Sequence, residues 1–406
     1  MIFFYVLKNF QVSPRGTGKA IQFKSPRLRE TASRNIPVRN IYFTTRAQFD
    51  RLTKSVPDAH LVFKVLDDLA VDMTLNRDDF PREIRFHQAG EQNDIFRQHA
   101  ESVKIAVING MGIGIGDSIV GLRALEIFYE RIHANYSDIS IDMFQRIKPG
   151  LHPLYQRNKS VNKTYDMPQP LTRLLNYDYY MTLEAFTQSK EFGSMPMADY
   201  FLAKLGIDPS SVNDSDKRNS CSNPVNSGSG INKSLKNLLL EQKNKGERFL
   251  LIHPVASDAI RSIPADHVPK LIDFLISNTE FILVGAVDFS YKHERFLDVS
   301  RYSKNIDDFI FIISQMDAAV TVDTSVYHIA DCFGIPAVVL FNTIHPRYRI
   351  SYYPNVRSMW LGEGKDRLLM RHKGMTKEDQ PLLDGIYKDF NCNQLLTELN
   401  AAIKSA

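Results

Sequence analysis

Residues 320–343 read VTVDTSVYHIADCFGIPAVVLFNT, and the reading of this stretch decides the fold. A β-branched apolar run over 318–322 predicts a strand, and Asp323, Thr324 and Ser325 interrupt it with small hydrogen-bonding residues suited to a helix N-cap. Tyr327, Ile329, Ala330 and Phe333 follow at helical spacing, Gly334 stops the helix, and Pro336 leads into an apolar strand over 337–341. Strand, polar turn, helix, tight turn and strand are the grammar of an α/β nucleotide site. The unpaired N–H groups and partial positive charge of a helix N-terminus suit a diphosphate at Thr324 and Ser325. The same residues also suit a plain helix cap, so this stretch alone leaves both roles open for Asp323.

The alternation extends upstream. Strands are predicted over 249–253 and 281–285 and helices over 264–278 and 307–316, with a turn His253-Pro254-Val255-Ala256-Ser257 and Arg261 just beyond it. Four such β/α units predict a parallel sheet whose ligand crevice lies at the carboxyl ends of its strands, where Ser257, Gly285 and Asp323 fall.

A second alternation begins at Lys104. A strand over 104–108 is followed by the glycine loop NGMGIGIGDS and a helix over 119–129, the opening unit of a Rossmann-like domain. A dinucleotide fingerprint needs glycines at i, i+2 and i+5, but Gly110 and Gly112 are followed by Ile115, and Gly112 and Gly114 by Asp117. A phosphate-binding Walker loop needs Gly-Lys-Ser/Thr, whereas Gly116 precedes Asp117. Dehydrogenase and P-loop readings are therefore disfavoured. The loop instead presents one carboxylate, Asp117, which serves either as a cap or, since glycines let a backbone approach a ligand, as a functional acid or base. Strands over 139–144 and 177–183 and a helix over 195–205 closed by Gly206 complete this domain. Residues 213–233 are dominated by Asn, Ser and Gly and predict an exposed connector.

At 406 residues the chain predicts two domains and an extension, and 43% hydrophobic with 24% charged residues is an ordinary globular balance. The expected boundaries are a basic arm and small α+β extension over 1–100, a first Rossmann-like domain over 101–212, a linker over 213–245, a second Rossmann-like domain over 246–385 and a carboxy-terminal helix over 386–406. Residues 1–7 lack a basic leader and a cleavage site and predict a buried strand. Between residues 8 and 39, Lys8, Arg15, Lys19, Lys24, Arg27, Arg29, Arg34 and Arg39 are opposed only by Glu30, which suits a solvated arm or contact with an anionic membrane or acidic partner. Strands over 40–44, 61–66, 71–75 and 83–87 and a helix over 47–54 make up the extension. The net charge of +4 carries no nucleic-acid motif with it, and Cys221, Cys332 and Cys392 are too scattered for a disulfide framework or zinc cluster, which fits a cytoplasmic protein.

Three segments, in order, resemble glycosyltransferase family 9, the ADP-heptose:lipopolysaccharide heptosyltransferase-like enzymes. Residues 109–117, NGMGIGIGD, resemble the family's G-x-G-D loop; 253–264, HPVASDAIRSIP, its H-P-G-A-S…K-R-W-P segment; and 312–343 its L-I-x-x-A-D…D-T-G-x-x-H-x-A…G-x-P-x-V-x-L-F-G-x-T signature. Val255, Ser325 and Asn342 stand where that pattern has glycines, and Arg123 where a proline is usual. The resemblance implies a GT-B fold, with the donor on the second domain and the acceptor on the first, and an inverting transferase with no metal and no cofactor beyond its nucleotide-sugar substrate. It implies Asp117 as general base, Ser257 and Arg261 on the donor diphosphate with main-chain N–H groups of Thr324 and Ser325, Asp323 on sugar hydroxyls, Gly285 in the donor crevice, and His328 bracing the turn or approaching the diphosphate. Gly114 and Gly116 would be loop or acceptor contacts. Arg347 and Arg349 would add positive charge or form a solvated surface pair, and Tyr348, Tyr352 and Tyr353 would stack on a base or sugar or merely cover the crevice. On register alone the structural histidine is the favoured reading of His328, and Asp331 and Cys332 are packing or solvent residues.

These roles agree with the chemistry. An in-line displacement needs a base on one side and charge neutralisation of the leaving diphosphate on the other. ADP-heptose is the first donor implied, and a saccharide or glycoconjugate the acceptor. Two alternatives remain: a GT-B-like sugar-nucleotide epimerase, which would turn over donor alone, and a non-catalytic sugar- or protein-binding module, which would bind no nucleotide.

Overall fold

The structure, a computed structural model, describes residues 2–12, 21–25, 38–56, 59, 62–66, 85–87, 94–109, 111–112, 114–145, 149–182, 191–222, 224, 230–288, 290–362, 379–388 and 390–406. The chain forms two compact units: Met1–Ile113 with Leu125–Phe186 and Ala203–Ile207, and Gly114–Ala124 with Thr187–Leu202 and Asp208–Ala406.

The first unit opens with β1 (Ile2–Val6), β2 (Phe10–Val12), β3 (Ile21–Phe23), β4 (Tyr42–Thr44) and β5 (Phe63–Leu66). The apolar start of the chain is thus a strand, as expected, and its period of two sorts its side chains. Ile2, Phe4 and Val6 pack with Phe23, Phe49 and Phe63, while Phe3 and Tyr5 pack with Ile41 and Phe43. The helix Arg46–Lys54 is capped by Thr45, whose side chain accepts from Gln48 N–H, and it buries Phe49 and Leu52 against β1.

Further along lie β6 (Arg85–His87), β7 (Ala100–Ile108), β8 (Tyr136–Phe144), β9 (Lys163–Tyr165), β10 (Gln169–Pro170) and β11 (Tyr179–Thr182). Three sheets result: an antiparallel one ordered β10-β4-β1-β5, an antiparallel pair β2-β3 and a parallel one ordered β6-β11-β7-β8-β9. Ile105 to Ile108 are all buried, the mark of a parallel strand covered on both faces. Two strands cross the expected boundary. Residues 83–87 were expected in the extension, but β6 pairs in parallel with β11, and β10 joins the amino-terminal sheet by pairing Gln169 with Phe43. Both are too short to declare a partner from their own pattern. The expected strand over 71–75 lies outside the described residues, as does most of the basic arm, of which Lys8, Lys24 and Arg39 are described and exposed.

The second unit contains β12 (Phe249–His253), β13 (Ile282–Gly285), β14 (Phe296–Asp298), β15 (Ala318–Val322), β16 (Ala337–Phe341) and β17 (Val356–Trp360), all parallel in the order β14-β13-β12-β15-β16-β17. The edge strands β14 and β17 are additional to the units read from sequence. Helices Val268–Asn278, Gln380–Lys388 and Cys392–Ser405 bury Leu271, Leu275, Leu383, Ile386, Leu395 and Leu399 in one core with Leu250, Val320 and Val338. Each such side chain contributes about 1.5–3 kcal/mol by leaving water. The chain runs outward from β12 through β14 and returns to β15, beside β12. The strand order therefore reverses between β12 and β15, which places the ligand crevice of an open parallel sheet at their carboxyl ends.

The Ser/Asn/Gly-rich stretch departs from an exposed connector. Lys217 and Asn219 are buried, and the helix Lys233–Asn244 begins inside the expected linker and buries Leu235 and Leu239. Lys217 is buried among polar partners: its Nζ lies 3.0 Å from Asp199 Oδ1 and donates to Tyr352 Oη at 3.1 Å, and Tyr352 Oη donates to Asp199 Oδ2 at 2.6 Å.

Candidate functional site

Everything at the β12/β15 reversal is positioned by short local bonds. Thr321 Oγ1 donates to the His253 carbonyl at 3.0 Å, tying the two strand ends together. Thr324 is the N-cap of the helix Ser325–Cys332, its Oγ1 accepting from Val326 N–H at 3.2 Å. After β12, Ile263 N–H donates to the Pro254 carbonyl at 2.9 Å, Ser262 Oγ accepts from Ala256 N–H at 2.9 Å, and Asp258 caps the turn Ala259–Arg261. That closed loop delivers Arg261 to β15. Its Nη1 donates to the Asp323 carbonyl at 3.0 Å and to Asp323 Oδ2 at 3.1 Å, and its Nη2 donates to Ser257 Oγ at 2.8 Å.

Asp323 is thus held by protein partners as well as standing where the resemblance implies a sugar contact. Its other oxygen, Oδ1, accepts from Tyr327 Oη at 2.9 Å, and the residue is 7% exposed. Both carboxylate oxygens are engaged by the protein, and the group orients Arg261. Burial works to raise its pKa but is outweighed by Arg261, Arg349 and the Tyr327 hydrogen bond, so the carboxyl titrates below the ordinary range. Arg261 is shifted up in return, Asp323 outweighing the effect of burial. Tyr327, in the first turn of the helix, reaches back past the N-cap to Asp323.

Asp117 is the third residue of the helix Ile115–Ile132, and its Oδ2 accepts from Gly114 N–H at 3.3 Å, which is the capping role. It is also half-buried, and burial raises its pKa against the pull of Arg349, the Gly114 N–H and Arg261, with the charge of Asp323 adding to the rise. The capping bond and the raised pKa thus belong to the same carboxyl. The glycines of the loop answer to protein groups rather than to an open approach. A Cβ on Gly114 would sit 3.0 Å from Asp117 Oδ2, and one on Gly116 would sit 2.6 Å from His328 Cδ2. Gly112 has φ +76°, a conformation that favours glycine.

His328 is buried, its Nδ1 sharing a 2.7 Å hydrogen bond with Tyr353 Oη, and burial drives its pKa down to about 3, so the ring is neutral. That geometry is the structural histidine, braced between Gly116 and Tyr353. Asp331, one turn further on, is also buried, accepting from Asn219 N–H at 2.8 Å and facing Arg218 at 3.4 Å.

The arginine pair divides. Arg349 is 8% exposed, lies 4.8 Å over the Phe192 ring, and its charge acts on Asp117, Asp323 and Tyr327. Arg347 is exposed and stacks on Tyr348. Nothing in HPRYR separates the two in advance, because the intervening 3-10 turn Pro346–Tyr348 decides which faces inward. Tyr352 and Tyr353 spend their hydroxyls on Asp199 and His328. Gly285 ends β13, the neighbour of β12, and Ser325 opens the capped helix. A cavity of about 530 Å³ beside the same loop is lined by Val255, Ala256, Ile263, Pro264 and Leu383 among others, and not by Ser257, Arg261 or Asp323. Among the described residues, no group of three or more His, Cys, Asp or Glu is placed to hold a metal ion, and no helix is long and apolar enough to cross a membrane.

Two Rossmann-like units, each on a parallel sheet, the second with cationic and capped-helix groups at its strand-order reversal, are of the GT-B class. The chain is similar in structure to Escherichia coli ADP-heptose lipopolysaccharide heptosyltransferase II, at 16% identity and a TM-score of 0.51 over 74% of this chain and 98% of that one. It is likewise similar to a family 9 glycosyltransferase from Veillonella parvula, at 12% identity and a TM-score of 0.50 over 75% and 98%. No protein-family model and no curated protein sequence matches the chain.

Proposed function

We propose that this protein is an inverting glycosyltransferase that moves a sugar from a nucleotide-diphosphate sugar to a saccharide or glycoconjugate acceptor, with the acceptor on the first unit and the donor on the second. The observation that carries the proposal is the guanidinium of Arg261, locked by Asp323 and Ser257 beside a capped helix N-terminus at the β12/β15 reversal. In this reading Asp117 takes the proton from the acceptor hydroxyl as its oxygen attacks the anomeric carbon. The bond from that carbon to the diphosphate oxygen breaks, and the diphosphate leaves with the electron pair. Burial brings Asp117 closer to the pH at which a base is most effective. Arg261, Ser257, the Ser325 N–H and the nearby charge of Arg349 answer the charge on the leaving group, so the transfer is proposed to be metal-independent.

ADP-heptose is the first donor to try, because the Escherichia coli structure is that of an ADP-heptose lipopolysaccharide heptosyltransferase. The test is ligand stabilisation by ADP, GDP, UDP and CDP and their sugar conjugates, since a ligand that binds only the folded chain raises its melting temperature. Stabilisation by one nucleotide series is expected, with Asp117→Asn retaining it and losing transfer. Retained turnover in that variant would remove Asp117 as base; absence of stabilisation by every nucleotide would remove the donor site.

A further inference from the structure

Asn342 follows β16 directly, at a position where the family 9 pattern has a glycine, and it is 2% exposed. Its Nδ2 donates to the Ile260 carbonyl at 2.6 Å, so the bond joins the end of β16 to the loop after β12, with β15 between them in the sheet. Ile260 immediately precedes Arg261 in the turn Ala259–Arg261, and its N–H donates to Asp258 Oδ1 at 3.3 Å. The N–H that would continue the turn onto the Ile260 carbonyl is that of Ile263, which goes to the Pro254 carbonyl instead. The Ile260 carbonyl is therefore left for the amide of Asn342; Ile260 is fully buried, and a buried carbonyl is costly to leave unmet. Asn342 is itself firmly held. Leu361 N–H donates to the Phe341 carbonyl at 2.7 Å, and Gly362 passes so close that a Cβ on it would lie 2.8 Å from the Asn342 carbonyl oxygen and 2.6 Å from Trp360 Cζ2.

We propose that Asn342 is a positioning residue for the donor diphosphate: by holding the carbonyl that precedes Arg261, it sets the direction in which the guanidinium is presented. Arg261 Nη1 donates twice to Asp323 and Nη2 once to Ser257 Oγ, which leaves the Nε hydrogen and the second Nη2 hydrogen for a ligand. The side chain is 22% exposed, so a ligand reaches them. A planar fork that meets phosphate oxygens in pairs is effective only when it is aimed, whereas a lysine is a point charge on a flexible stem. A glycine at residue 342 would have no amide to give, so the tie from β16 to the Arg261 turn belongs to this chain and not to the pattern it resembles. The inference rests on the donor-site part of the glycosyl-transfer reading; the acceptor and the transfer step do not enter it.

The test is calorimetric titration of the full chain with inorganic pyrophosphate and with ADP, pyrophosphate being the probe that does not depend on the base. The proteins are the wild type, Asn342→Gly, Asn342→Leu, Arg261→Met, Arg261→Lys and Asn342→Leu combined with Arg261→Lys. Glycine removes the amide, and leucine nearly keeps its volume without the donor. Expected is pyrophosphate binding to the wild type that weakens about tenfold in both Asn342 variants, the loss of one charge-assisted hydrogen bond. Arg261→Met should abolish it. In the Arg261→Lys background the leucine substitution should cost nothing further, because a flexible point charge has no direction to lose. A merely structural asparagine would cost the same in both backgrounds, and that result would overturn the inference. So would unchanged affinity in the Asn342 variants, or binding undiminished in Arg261→Met, which would put the anion elsewhere. Far-UV circular dichroism melts identify a variant that has not folded, and Asn342→Leu decides alone if Asn342→Gly does not fold. A wild type that binds neither pyrophosphate nor ADP would overturn the donor site and this inference with it, a result distinct from binding that ignores Asn342.

Discussion

Adding one methyl group at Gly116 tests how the glycine loop and the Ser325–Cys332 helix are held together. The new Cβ would lie 2.6 Å from His328 Cδ2 and 3.0 Å from its Nε2. An ordinary contact between carbons is about 3.5–4.0 Å, so one of the two must retreat by roughly 1 Å. The ring is poorly placed to do so, because His328 is 4% exposed and Tyr353 holds its Nδ1 at 2.7 Å. Overpacking of this kind costs about 1–3 kcal/mol. Alanine in place of a helical glycine returns about 0.5–1 kcal/mol. Gly116→Ala should therefore destabilise the second unit by about 1–2 kcal/mol. In a His328→Ala background the obstacle is gone and the sign should reverse, leaving a gain of about 0.5–1 kcal/mol. Trp360, the sole tryptophan, lies on β17 in the same unit, so denaturant titration followed by its fluorescence reports the relevant transition. Equal effects of the glycine substitution in the two backgrounds would refute the contact.

Two further outcomes concern charge. Asp323→Asn keeps the shape and the Tyr327 contact but leaves Arg261, 22% exposed, without its counter-charge, and should cost about 2–3 kcal/mol by the same fluorescence titration; Arg261→Met combined with it should cost less than the two single losses together, and strict additivity would deny the pairing. For pH, burial lowers His253 to about 4 and His328 to about 3, below the roughly 6.5 of an unfolded histidine. The stability each contributes is complete above that unfolded value and is lost as pH falls through 6 toward the folded values, up to roughly 3 kcal/mol for His253. Asp331, raised by burial to about 6, works the other way between roughly pH 4 and 6. The Trp360 transition should weaken first between pH 6.5 and 6, and His253→Leu should reduce the slope; a flat profile down to pH 4 would contradict neutral burial.

Legibility from sequence followed the kind of signal each element carries. Strands β12, β15 and β16 were read to the residue, because unbroken apolar runs bounded by polar turns announce buried parallel strands. Strands β6, β10, β14 and β17 were misassigned or missed. They are two to five residues long or mixed in polarity, and their identity lies in a partner far along the chain. At the site, motif order brought Ser257, Arg261, Asp323 and Thr324 to one crevice, and the structure assembles them there. It did not tell that Asp323 faces inward to Arg261 and Tyr327. Nor did it distinguish Arg349 from Arg347, or reveal that Lys217 is buried, because burial of a charge depends on counter-charges such as Asp199 that are remote in sequence.

The two-residue strand β10 limits where the chain can be divided. The amino-terminal sheet takes one of its four strands from beyond residue 168, and Phe43 of that sheet packs on Phe144 of the parallel one with ring centroids 5.7 Å apart. A segment sewn in this way is no detachable cassette. A chain cut to start at β7 would leave β10 unpaired and uncover the aromatic face beneath it, so recombination at that point would yield an insoluble fragment rather than a smaller version of the protein.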